Sequence, residues 1–111
     1  MFNNCEKLEK LDISNLGTNK AKDLSYMFSG CSSLTELNLN SFHTEAVTTM
    51  NSMFASCSSI HYLDLSSFNT EKCTSFSNMF DKTDNVTVKV NSATAVKLID
   101  AIENDVKIET L

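Results

Sequence analysis

Four cysteines, two histidines and 14 carboxylates are the residues of this chain with the types to do chemistry. Cys5, Cys31 and Cys57 stand 26 residues apart, and Cys73 lies outside their series. No Cys-x-x-Cys or Cys-x-x-His spacing occurs, so a metal site has no ligand cluster to build on. A disulfide stays open, since stacked strands bring equivalent residues within about 5 Å. Cysteine used as a small buried hydrophobe explains the same spacing more simply. His43 and His61 fall at different places, a turn and a strand, and no recognisable nucleophile motif accompanies either. Asp12 and Asp64 share an outward column that Asn38 interrupts. That leaves them about 10 Å apart, beyond the reach of the two carboxylates of a retaining glycosidase. Asp81-Lys82-Thr83-Asp84-Asn85 lacks the glycine and closing glutamate of a calcium loop and reads as a plain turn. The chain is therefore expected to be neither an enzyme nor the holder of a metal or cofactor.

The elements that position these residues come from an internal repeat. Met-Phe stands at Met1-Phe2, Met27-Phe28, Met53-Phe54 and Met79-Phe80, in steps of 26 residues. The columns Leu8/Leu34/Ile60, Leu11/Leu37/Leu63, Ile13/Leu39/Leu65, Leu16/Phe42/Phe68 and Ala21/Val47/Cys73 keep the same phase. Leu34-x-x-Leu37-x-Leu39 ends in a period of two, which suits a short strand with Leu37 and Leu39 facing inward. Val47, Met50 and Phe54 have the spacing of a helical turn or two, with Thr44 and Thr70 as its caps. A strand and a short helical return, repeated every 20 to 30 residues or so, is the leucine-rich-repeat plan. One such unit cannot bury its apolar face alone and needs stacked neighbours.

After Phe80 the phase breaks. Thr83 replaces a fourth cysteine, and the strand residues Val86, Val88 and Val90 are shifted by one position. Ser92 can cap a helix whose apolar side is Ala93, Val96, Ile99 and Ala101-Ile102, with Asn104 as its left-handed stop. Val106, Ile108 and Leu111 form a last strand. Strand, helix, strand is a right-handed crossover that adds two parallel strands. The fold class expected is thus an α/β repeat: a short leucine-rich-repeat solenoid with parallel strands on one face and short helical turns on the other. Residues 1–80 are three repeats and residues 81–111 a C-terminal strand-helix-strand cap, together one domain. Met1-Phe2 lies in phase, so the chain reads as the C-terminal part of a longer array. Its first coil (Leu8, Leu11, Ile13) is then a sticky edge able to pair with a second molecule.

Composition narrows the partners. Net charge is −5, arginine is absent, and no lysine lies between Met27 and Glu71. Nucleic-acid binding needs a basic stripe, so that partner class is set aside. No apolar run approaches the roughly 20 residues of a membrane span. Early charges at Glu6, Lys7, Glu9, Lys10 and Asp12 do not fit a signal peptide.

Met27-Phe28, Cys31, Leu34, Leu37, Leu39, Phe42, Thr44, Val47 and Met50 carry a resemblance to a known family. Over about residues 1–80 the pattern resembles the 26-residue repeat of bacterial surface proteins, a BspA-like branch of the leucine-rich repeats. The resemblance implies a bacterial, exported, cell-surface or extracellular protein that contacts other cells or host molecules. The first unit departs from the pattern, with Leu16 and Gly17 where the later ones have an aromatic followed by His43 or Asn69.

Within this frame the outward strand positions form rungs across neighbouring units. Lys10, Glu36 and Tyr62 make one column, and Asp12, Asn38 and Asp64 the next. Tyr62 with neighbouring His61 is the anchor of the candidate ligand-binding face. Two functions remain open: an interaction or adhesion module binding a protein or glycan through this face, and a structural spacer with no ligand of its own. Complete variation along Lys10, Glu36 and Tyr62 leans toward binding.

Overall fold

The computed structural model describes residues 4–11, 13, 20–101 and 106–110. Asp12, Ile102, Asn104 and Leu111, each given a role above, lie outside them, as do the side chains of Asp100 and Ala101. The elements in chain order are β1 (Lys10–Leu11), β2 (Glu36–Leu37), β3 (Tyr62–Asp64), β4 (Val86–Val90), α1 (Ser92–Ala101) and β5 (Val106–Thr110).

Successive units stack in parallel at the period of the sequence. In the first sheet Lys10 pairs with Glu36 and Leu11 with Leu37. A second line of bridges, Asp23 to Thr49 to Ser75, runs through three units elsewhere on the chain. The other sheet has the order β3-β4-β5, all parallel. There Leu63 faces Val88, a step of 25, because Val86-x-Val88 is one residue shorter than Ile60-x-x-Leu63. That deletion makes β4 alternate from its first residue, with Val86, Val88 and Val90 buried and Thr87 and Lys89 half-buried. Among the described residues no ladder joins β2 to β3, so the Asp23–Thr49–Ser75 line and the core carry the stack across this gap.

The expected helical turn around Val47, Met50 and Phe54 is not formed. The segment instead alternates two kinds of backbone hydrogen bond. Met50, Ser52, Phe54 and Ser56 donate N–H to Ser75, Ser77, Met79 and Asp81 of the next unit. The N–H groups of Met53 and Ala55 turn back to the carbonyls of Met50 and Ser52. An α-helix would spend every one of these donors on itself, and a lone helix of two turns is marginal. The alternation demands left-handed residues, and these too recur every 26 positions. One set is Asn4, Gly30, Ser56 and Lys82, with φ of 62°, 80°, 57° and 61°; the other is Tyr26, Ser52 and Asn78, at 62°, 57° and 57°. At Gly30 a Cβ would lie 2.4 Å from Asn4 Oδ1 and 3.2 Å from Asn4 Cα, so glycine answers close approach as well as φ.

The core is built from columns. Phe28, Phe54 and Phe80 stack at centroid distances of 5.6 and 5.5 Å with their ring planes nearly parallel, and Phe42 stacks on Phe68 at 6.2 Å. Leu34, Leu39, Met50, Met53, Ile60, Leu63 and Leu65 are also fully buried, while Leu37, beside the gap, is only half-buried. All four cysteines are in the thiol form; Cys31, Cys57 and Cys73 are buried and Cys5 is half-buried. The cysteine column has a definite task. Cys57 Sγ donates to Phe28 O at 3.0 Å, and Thr83 Oγ1 donates to Phe54 O, each 29 residues back. Thr83 thus continues the column with a hydroxyl for a thiol. Its Oγ1 also accepts the buried Cys57 N–H at 2.9 Å. The isosteric change Thr83→Val should leave that N–H without its acceptor. The expected cost is about 1–3 kcal/mol, read as a lower denaturation midpoint, whereas Thr83→Ser should cost less.

Two capping assignments are corrected. Thr44 does not cap its own turn; its Oγ1 donates to Asn69 O (3.0 Å) and accepts Asn69 N–H (2.8 Å) in the next unit. Thr70 Oγ1 lies 3.0 Å from Thr94 Oγ1. The N-cap of α1 is Asn91 rather than Ser92: its Oδ1 accepts Thr94 N–H at 2.9 Å, and its Nδ2 donates to Phe68 O at 2.7 Å. The buried side of α1 is Thr94, Ala95 and Leu98, not Ala93, Val96 and Ile99, which are exposed. Both sets have helical spacing. Lys97 settles the rotation, donating from Nζ to the carbonyls of Thr70 and Cys73.

Candidate interaction face

Strands β1, β2 and β3 each present one exposed residue of the first column at their start: Lys10, Glu36 and Tyr62. Lys10 and Glu36 are direct cross-strand partners, and Lys10 Nζ lies 3.7 Å from Glu36 Oε2. With both side chains more than 70% exposed, this pair contributes little to stability and mainly neutralises its own charge. Tyr62 is 51% exposed beside Leu63, which is fully buried, so a rigid strand holds an aromatic ring out in solvent. His61 is exposed as well, with Nδ1 3.3 Å from Asn85 O.

The second column does different work. Asn38 Oδ1 accepts Asn40 N–H at 2.9 Å. Asp64 Oδ1 accepts the Ser66 N–H at 2.9 Å and the Ser66 hydroxyl as well. These bonds hold the Asp64 carboxyl below the usual range, with the Ser66 hydroxyl the larger cause, its N–H the next, and nearby Lys89 a minor aid. Asp23 repeats the arrangement, its Oδ1 accepting Ser25 N–H at 2.8 Å, and its carboxyl is likewise lowered, chiefly by the Ser25 hydroxyl. Asn38 Oδ1 and Asp64 Oδ1 are therefore engaged in closing their own turns. The signal was present in the chain as Asn/Asp-x-Ser/Asn at Asn38-Leu39-Asn40 and Asp64-Leu65-Ser66, the pattern of a side chain closing its own turn.

The buried thiols offer no nucleophile. Burial pushes the Cys57 thiol up to about 12, with Cys31 beside it adding to the effect. Burial also raises Cys31 and Cys73. Such groups stay protonated at neutral pH. Among the described residues no three His, Cys, Asp or Glu side chains gather in a way that could hold a metal, and no helix is long and apolar enough to cross a membrane.

A cleft of about 530 Å³ lies where the third unit meets the cap, lined by Phe68, Asn69, Thr70, Glu71, Asn91, Ala93 and Lys97. Sequence spacing does not reveal it, because it exists only once α1 docks on residues some 25 positions earlier. Its principal polar groups serve the fold: Asn91 and Lys97 both bond backbone carbonyls of the third unit.

No curated protein and no solved structure matches this chain. Residues 1–104 do match a family, described as "Mycoplasma protein of unknown function, DUF285", and the chain belongs to it.

Proposed function

We propose, with membership of that family as the premise, that the chain is a non-enzymatic interaction module of a bacterial cell surface. In this reading the stacked units are BspA-like leucine-rich repeats of a short solenoid, and the partner is a protein or glycan met outside the cell. Tyr62 carries it: a half-exposed aromatic on a strand whose next residue is completely buried, with His61 beside it. An aromatic presented without loss of backbone freedom is the kind of group that anchors a ligand. Lys10 and Glu36 form the polar flank. Asn38 and Asp64 shape the turns behind it rather than meet the partner.

The alternative, a structural spacer, draws support from a different observation. Lys10 and Glu36 pair with each other, and Asn38 and Asp64 are committed to turns, so much of the face is satisfied internally.

A binding screen against matrix proteins, mucins and a glycan array separates the two. The wild-type chain should bind at least one class, and Tyr62→Ala should weaken that binding by about tenfold or more while thermal unfolding stays unchanged. Absence of binding by the folded wild-type chain, or binding indifferent to Tyr62→Ala, would count for the spacer or move the site off this face. Asp64→Ala is a poor probe, since it removes a turn.

A further inference from the structure

We infer that the partner of the strand face is an uncharged glycan, with one sugar ring lying on Tyr62 and the next reaching along the row Tyr62–Thr87–Lys107. The inference rests on the strand-face reading above and names its occupant. It concerns the flat side of the sheet rather than an edge. Strands added before β1 or after β5 would lengthen this surface without covering it.

The register builds the row. Tyr62 pairs with Thr87 and Thr87 with Lys107, while on the same strands Leu63 pairs with Val88 and Val88 with Ile108. Leu63 and Val88 are completely buried, so by alternation the Tyr62 row faces out. Two strand spacings carry it roughly 10 Å, the run of a disaccharide.

The neighbours select the class of ligand. Among the described residues Tyr62 is the only large apolar side chain exposed on these strands; Tyr26, Val96 and Ile99 lie elsewhere. A protein contact needs an apolar centre cleared of charge, within about 800 Å² per partner. Around Tyr62 stand instead Thr87 and Lys107, and in the next row Lys89 and Glu109. An isolated ring amid hydroxyl, ammonium and carboxylate groups matches a pyranose: its C–H face packs on the ring, and its hydroxyls both donate and accept. Among the described residues no partner within the fold takes up the Thr87 hydroxyl or the Lys107 ammonium. His61 adds an acceptor at the Tyr62 end. Asn85 O can only accept, so in the neutral ring Nδ1 carries the proton and Nε2 is left for a sugar hydroxyl.

Charge decides against ionic sugars. Signs cancel along the face: Lys10 lies by Glu36, and Lys89 stands between Asp64 and Glu109. The chain as a whole carries −5. A sulfated or sialylated glycan would meet no net positive field here, whereas neutral hydroxyls need none.

Titration calorimetry of the whole chain with chitotetraose, cellotetraose and galactotetraose tests it. Sialyllactose and heparin serve as charged controls, and a panel of matrix proteins and mucins is assayed before and after removal of their glycans. At least one neutral tetrasaccharide should bind. Tyr62→Ala should weaken that binding by about tenfold or more, and Thr87→Val by about threefold. Tyr62→Phe keeps the ring face and should cost less than about twofold. Raising salt from about 0.05 M to about 0.5 M should change the affinity by less than about twofold. Thermal unfolding should confirm that the variants remain folded. A protein that still binds through Tyr62 once its glycans are removed, with the tetrasaccharides silent, overturns the glycan and leaves the strand-face reading intact. Binding confined to sialyllactose or heparin, and lost in salt, overturns the uncharged ligand alone. Thr87→Val without effect overturns the row. Silence of every probe, or tetrasaccharide binding indifferent to Tyr62→Ala, overturns both this inference and the reading beneath it.

Discussion

Replacing Phe54 by alanine should cost about 3–5 kcal/mol and lower the melting temperature by about 12 °C or more. Phe54 is the middle ring of three, 5.6 Å from Phe28 and 5.5 Å from Phe80, and is fully buried. Its loss opens a cavity on both sides at once. The units hold together chiefly through their neighbours, so the damage is not confined to one place. Domains of this size are stable by about 5–15 kcal/mol, and the variant should stand close to the threshold. Phe54→Leu keeps most of the volume and should cost markedly less. Equilibrium denaturation followed by circular dichroism measures both. A Phe54→Ala protein as stable as wild type would show that the ring column is not the spine of the stack.

Alkaline pH should unfold the protein through its buried thiols. The Cys57 thiol is raised from 9.0 to about 12 by burial first and by Cys31 second. In the unfolded chain the proton leaves near pH 9; in the fold it stays until about pH 12. The unfolded state therefore holds fewer protons across this window, and stability falls as pH rises. The contribution is complete below pH 9 and is lost by about pH 12, at up to about 1.4 kcal/mol per pH unit and roughly 4 kcal/mol in all. Cys31 and Cys73, raised in the same direction, add to the slope. Cys57→Thr isolates the effect. Thr83 already performs the Cys57 task with a hydroxyl, so the change should be tolerated at pH 7 while removing part of the alkaline slope. Denaturant midpoints from about pH 8 to about pH 10.5 for the two proteins provide the comparison. Parallel curves would mean that the Cys57 proton is not held by the fold.

The sequence is most informative where one residue type must recur. Burial of a face against an identical neighbour imposes the same apolar side chain at the same phase. The columns through Phe28, Leu34 and Cys31 can therefore be read without coordinates, and the registers of Lys10 on Glu36 and Thr49 on Ser75 repeat their period. It is less informative about backbone. The left-handed columns hold Asn4, Gly30, Ser56 and Lys82, and then Tyr26, Ser52 and Asn78. With one glycine and two asparagines among seven residues, the turn signal is weak and falls at no consistent unit. The spacing of Val47, Met50 and Phe54 fits a helix equally well.

The interaction face divides along the same line. The exposure of Lys10, Glu36 and Tyr62 follows from their alternation with leucines. That one side-chain oxygen each of Asn38 and Asp64 closes a turn was written in the residues two positions on, Asn40 and Ser66, but an outward polar column looks alike whether or not its oxygens are engaged in this way.

By itself, then, the sequence determined the repeat, its period, its inward columns and the place where the phase breaks. Periodic burial leaves a periodic record. Only the tertiary structure decided which of two apolar stripes of α1 turns inward, that Thr44 and Asn91 bond across units, and that a cleft forms beside Lys97. Each of those depends on which distant carbonyl a donor meets, and hydrogen-bond partners some 25 residues apart leave no local mark in the chain.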